Sequence, residues 1–143
     1  MAVNPTIHII ADYGCGDPAW VEVEEAIGEA CGPHLRFKRT YAHPKSTLNT
    51  GFWLAQHGLT PHREPRVFYV NTAPRLCGEG NAGEPLVYFR FRNGNQVLAA
   101  LSGYTLSFVT DHLDNLHLVT YHRSASPFRS RDDFPAVLAA LLR

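Results

Sequence analysis

Two carboxylates, Asp12 and Asp17, close a short apolar run, Ile7-His8-Ile9-Ile10-Ala11, with Tyr13-Gly14-Cys15-Gly16 between them and Pro18 after them. An apolar run of this length ending in glycine and proline reads as a buried strand that delivers its last residues to a loop. Acids at the C-terminal tip of a buried strand lie where open α/β sheets bind small ligands. Two acids repel phosphate. They accept hydrogen bonds from sugar hydroxyls or face a cation, which points to a nucleoside or a positively charged metabolite.

A second run, Arg66-Val67-Phe68-Tyr69-Val70, ends in Asn71-Thr72-Ala73-Pro74-Arg75 and brings further polar residues to a loop. Asn71 cannot act as a base, because its amide has no useful pKa; Asn71 to Pro74 also suits a plain turn. Near the end, Arg129, Arg131 and Asp132 form a dense charged cluster. Two arginines there would suit a ligand carboxylate; the alternative is an Asp132 helix cap or an Arg131–Asp132 ion pair with solvated arginines. Ser102-Gly103-Tyr104-Thr105 could offer hydroxyl and backbone donors, or simply connect two elements. Asp12 reads as an acceptor from sugar hydroxyls, or as a helix N-cap or loop acid, and Asp17 as a helix N-cap. His43, His112 and His117 form no defensible ligand set, and Phe52 and Trp53 read as core and helix-face packing.

The elements that must hold these residues follow from periodicity. Asp17-Pro18-Ala19 starts a helix over Trp20 to Ala30, with Val21, Glu25 and Gly28 at helix spacing and Cys31-Gly32-Pro33 as its stop. Leu35 to Tyr41 alternates like a half-solvated strand. Ser46 or Thr47 caps a second helix through Gln56. Leu76 to Pro85 reads as a glycine-rich flexible loop, long enough to be a lid or disordered. Leu86 to Phe91 and Gln96 to Leu101 flank Asn93-Gly94, a hairpin signal. Ser107-Phe108 belongs to a strand or short helix, Leu116 to Thr120 is a strand, and Ala136 to Leu142 is a last helix with an apolar face. Together these predict one α/β domain over residues 1–143, a mixed, mostly parallel sheet with helices on both faces.

Composition narrows the function classes. The chain has 143 residues, 45% hydrophobic and 18% charged, an ordinary globular balance. Its 13 basic and 13 acidic residues cancel, which gives no electrostatic case for nucleic acid or membrane. No signal peptide or membrane-length apolar run is visible, and Cys15, Cys31 and Cys77, odd in number and widely spaced, fit free thiols in a reducing cytoplasm. No Cys or His spacing suggests a metal.

The order of these motifs resembles the N-terminal domain of the S-adenosylmethionine hydroxide adenosyltransferase family, which includes the fluorinase and chlorinase. Those enzymes displace methionine from the ribose C5′ of S-adenosylmethionine with hydroxide or halide. The family's Thr-Asp-Phe-Gly…Asp-Pro opening reads here Ala11-Asp12-Tyr13-Gly14…Asp17-Pro18. Its Pro loop and Gly-Ala-Phe helix resemble His43-Pro44 and Thr50-Gly51-Phe52-Trp53-Leu54-Ala55. Its next strand resembles Pro65 to Asn71, its glycine hairpin aligns with Gly94 to Gly103, and its closing Phe-His-Gly-Arg-Asp element resembles Phe128-Arg129-Ser130-Arg131-Asp132. The resemblance implies a nucleoside ligand held by Asp12, Tyr13, Asp17, Ser102 and Arg131, with Asp12 on the ribose. The family's catalytic Asp, Arg and His fall on Asn71, Arg75 and Arg129, so two of the three residue types differ. S-adenosylmethionine enters as substrate or ligand, and no cofactor or metal is implied. The family's C-terminal β-barrel has no counterpart in these 143 residues. In the family a neighbouring subunit's barrel completes the adenine pocket within a trimer, which implies a homo-oligomer. The expected function is S-adenosylmethionine hydrolysis; a non-catalytic nucleoside-binding protein or a scaffold that has lost catalysis are the alternatives.

Overall fold

The computed structural model describes residues 5–72 and 85–143. The chain runs β1 (Thr6–Ala11), α1 (Ala19–Cys31), β2 (Arg36–Tyr41), α2 (Thr47–Gly58), β3 (Val67–Asn71), β4 (Leu86–Phe91), β5 (Gln96–Ala100), β6 (Leu113–Val119), α3 (Arg129–Asp132) and α4 (Phe134–Leu141). The strands form one six-stranded sheet in the order β2-β1-β3-β5-β4-β6. β1 pairs in parallel with β2 and β3, and β3 with β5; β4 runs antiparallel to β5 and β6. This is the mixed α/β sheet expected from sequence.

Alternation along β1 and β3 divides the core in two. Ile7, Ile9, Val67 and Tyr69 face Trp20, Val23 and Ile27 of α1 and Phe134 and Leu138 of α4. Ile10, Phe68 and Val70 face Leu54 of α2 and Leu106 and Val109 of the segment after β5. Helices therefore cover both faces. The path has a consequence for function. From β1 the chain crosses one face through α1 to β2, then the other face through α2 to β3 on the opposite side of β1. The crevice between the C-terminal ends of β1 and β3 is thus the topological switch point, where such sheets bind ligands.

Local chemistry accounts for the boundaries. Ser46 caps α2, its Oγ accepting from the Asn49 N–H at 3.0 Å. The hairpin turns at Gly94, whose φ of 93° favours glycine and whose N–H donates to the Phe91 carbonyl at 3.0 Å. Three readings need correction. The stripe that α1 buries is Trp20, Val23 and Ile27, while Val21 is 49% exposed, because the tryptophan sets the phase. Phe52 does not join the core: it is exposed and touches Trp53 edge-on. The segment 103–112 is a series of turns in place of a strand or helix; its Tyr104 N–H donates to Thr47 Oγ1 at 3.0 Å, fastening it to the head of α2.

α2 lies close to the sheet because Gly58 lacks a side chain. A Cβ there would stand 2.5 Å from the Phe91 ring. Gly58→Ala is expected to cost about 1–3 kcal/mol by overpacking, despite alanine's better helix propensity. Urea denaturation checks it, and a stabilised variant would contradict the close packing.

Candidate functional site

Ala11 pairs with Asn71 at the last rung of the sheet, so Asp12 stands one residue beyond it. From there the backbone must turn sharply to enter α1. Gly14 and Gly16 take φ values of 98° and 80°, conformations that a side chain would strain. Two bonds close the turn: the Asp17 N–H donates to the Gly14 carbonyl at 3.2 Å, and the Trp20 indole N–H donates to the same carbonyl at 2.8 Å. Asp17 Oδ1 accepts from the Ala19 N–H at 2.8 Å, so it performs the capping expected of it although Pro18 occupies the cap position.

Asp12, Tyr13, Asp17, Lys45, Asn71 and the segment Pro127–Ser130 line a cleft of about 390 Å³ at this edge. Four parts of the chain meet in it. Lys45, in the left-handed region at φ 59°, leads into the head of α2; its N–H donates to Asp12 Oδ2 at 2.7 Å. On the opposite wall, Ser130 Oγ and the Tyr13 hydroxyl lie 2.5 Å apart, and the buried Tyr69 hydroxyl donates to the Ser130 carbonyl at 2.6 Å. Burial pushes the Tyr13 phenol up to about 12, against the pull of hydrogen bonds with Ser130 and Asn71, so it is a neutral donor at neutral pH. Arg129 is 6% exposed; its guanidinium donates to the Tyr121 hydroxyl at 3.0 Å and lies 5.3 Å from the Phe134 ring centre.

The cleft lining therefore combines two carboxylates (Asp12 and Asp17), hydroxyl and amide groups (Tyr13, Ser130 and Asn71), the Phe128 ring and two cationic residues, Lys45 and Arg129. It can accept from ligand hydroxyls at Asp12 and donate from Tyr13, Ser130 and Asn71. Among the described lining residues there is no imidazole, and the carboxylates are those of Asp12 and Asp17.

Of the residues singled out from sequence, Asp12, Tyr13, Asp17, Asn71 and Arg129 converge on the cleft. Arg131 does not line it. Its guanidinium pairs with Asp132 at 2.8 Å and Glu22 at 3.6 Å, and covers the Phe128 ring at 4.6 Å, so it is a surface ion-pair residue. Asp132 caps no helix, because its carboxylate takes Arg131 and the Ser126 hydroxyl. Ser102 is also outside the cleft lining: it is buried under the turns beside α2, and its hydroxyl has no hydrogen-bond partner among the described residues. Arg75 and nearly all of the glycine-rich loop lie outside the described residues. Lys45, Phe128 and Ser130 are the additions. Ser130 lies inside the closing motif Phe128–Asp132, and its small hydroxyl beside Arg129 is the available signal. Lys45 had none, since only the strand order brings the head of α2 to Asp12.

Among the described residues no group of His, Cys, Asp and Glu is placed to hold a metal ion, and no helix is long and apolar enough to cross a membrane. No family model matches the chain, and no curated protein matches it. Solved structures do. An uncharacterized conserved protein from Thermotoga maritima is similar over 95% of this chain and 53% of its own, with a TM-score of 0.76 at 16% identity. A conserved hypothetical protein from Thermus thermophilus is similar over 98% of this chain and 53% of its own, with a TM-score of 0.65 at 20% identity. At these identities the likeness is one of fold. This chain spans about half the length of each.

Proposed function

We propose that the cleft binds a nucleoside, S-adenosylmethionine or adenosine, with Asp12 accepting from the ribose hydroxyls. One observation carries this reading: an Asp at the tip of β1, lining the switch-point crevice, with one carboxylate oxygen tied to a backbone N–H. The anchored oxygen orients the carboxylate in advance, which reduces the entropy lost on binding. The resemblance set out above supplies the ligand class, and its two-domain family fits neighbours about twice as long as this chain.

If a reaction follows, a water oxygen bonds to C5′ as the C5′–S bond breaks. The electron pair leaves with sulfur, which neutralises the sulfonium and gives methionine, and the water's proton passes to solvent. With the Asn71 amide where the family carries an Asp, the site's contribution in this reading is to position and dehydrate the nucleophile. A purely binding role is the second reading, favoured by the amide of Asn71 and the guanidinium of Arg129 where the family carries Asp and His.

Thermal shift with S-adenosylmethionine, adenosine and methionine tests the reading. A ligand at a hundredfold excess over its Kd stabilises by about 2.7 kcal/mol, a rise of several degrees in Tm. Chromatography for adenosine and methionine then separates enzyme from binder. No shift with either nucleoside would overturn the proposal, and stable self-association in that case would favour a scaffold.

A further inference from the structure

At the other end of α2 a second group of side chains is packed with unusual chemistry. His8 on β1 is buried, stacked on Phe68 of β3 at 5.0 Å and against His57 of α2 at 4.8 Å. His57 in turn stacks on Trp53 at 5.6 Å, and its carbonyl lies 3.3 Å from the ring of His62. Arg66 NH1 sits 3.3 Å from His8 Nδ1, and Thr40 Oγ1 sits 2.7 Å from His8 Nε2. A guanidinium only donates, so His8 Nδ1 must accept and its proton is on Nε2, donated to Thr40. The neutral ring is fully satisfied by this arrangement. A second proton on Nδ1 would point one N–H at another, beside a permanent positive charge.

We propose that this cluster is a proton-operated latch, which clamps the C-terminal half of α2 to β1 at neutral pH and releases it in mild acid. The surrounding elements contribute to the same direction: His57 from α2, His62 and Arg66 from the connection to β3, and Lys38 from β2, while β3 offers only the Phe68 ring. Desolvation first, then these neighbours, hold the His8 imidazole down at about 3 from its ordinary 6.5. A released His8 regains its ordinary value. The released form therefore binds more protons between those two values, and the latch's stability is present above pH 6.5 and is lost as pH falls toward 3. Release reaches the cleft through the same helix, because its head carries Ser46 and the strained Lys45 that holds Asp12. The latch does not depend on what the cleft binds.

Amide hydrogen exchange of the whole protein at about pH 7 and about pH 5.5, normalised to intrinsic rates, tests it without any ligand. The α2 amides from Leu54 to Gly58 are expected to lose protection roughly tenfold per pH unit below the free imidazole value, while Val23 to Ile27 of α1 keep theirs. His8→Leu should abolish the difference between the two pH values. Nitrogen NMR of the imidazole in the unsubstituted protein gives an independent reading: one Nε2–H tautomer, with no titration near 6.5. An imidazole titrating near 6.5, equal loss of protection in α1 and α2, or a His8→Leu protein with the same acid response would each overturn the latch.

Discussion

Trp20→Ala is expected to lower unfolding stability by about 3–5 kcal/mol, the range for emptying a buried aromatic site. Trp20 is wholly buried between α1 and β1, edge-on to Tyr13 at 5.0 Å and to Tyr41 at 5.1 Å. Its indole N–H also ties the Gly14 carbonyl, so truncation removes core volume and a turn contact together. Against a domain stability of about 5–15 kcal/mol, this is a third or more of the whole. Trp20→Phe separates the parts: a ring remains while the N–H is lost, so its cost should be near ~1 kcal/mol. Urea midpoints with an unchanged m-value check both. A Trp20→Ala loss below about 1 kcal/mol would mean that the helix does not depend on this side chain. The effect extends to the cleft, because Tyr13 packs against Trp20 on one side and reaches Ser130 on the other.

The same residues show what is legible in the sequence. Ile7 to Asp17 carried the strand, the glycine turn and the acids openly, because an apolar run and φ-positive glycines leave a local mark. The hairpin at Gly94 and the cap at Ser46 were equally local. The phase of α1 was not: Val21 and Val23 are both apolar, and only packing against the sheet decides which is buried. The fate of Arg131 was also undetermined. It sits two residues from Arg129, yet Arg129 is buried beside the cleft against Tyr121 and Phe134 and Arg131 turns toward Glu22 on α1, a partner from the far end of the chain. Lys45 needed the order β2-β1-β3 before it could be placed near Asp12. His8 was hidden for the opposite reason. Within an apolar run it reads as one more buried residue, and its chemistry comes from Arg66, His57 and Thr40 on three other segments.

Asp12→Ala is expected to remove nucleoside binding while leaving the fold nearly intact. A carboxylate accepting from ribose hydroxyls makes charge-assisted hydrogen bonds worth about 1.5–3 kcal/mol each, so one such bond accounts for roughly ten- to a hundredfold in affinity and two for more. The structural cost is small. Asp12 lies just past the end of β1, and the bond it gives up is to the exposed N–H of Lys45, which water can satisfy. Asp12→Asn sharpens the test. The amide oxygen can still accept from Lys45, but the charge is gone and an N–H₂ now faces the ligand, so affinity should fall nearly as far while the cleft keeps its shape. Lys45→Gly acts in the other direction: glycine accepts φ 59° without strain and keeps the N–H, so binding should persist with stability unchanged or slightly raised. Calorimetric titration of the unsubstituted protein and the three variants with adenosine and S-adenosylmethionine reads all of this at once. Equal affinity in Asp12→Ala would remove the ribose assignment. Loss of binding in Lys45→Gly would move the recognition from the carboxylate to the lysine side chain.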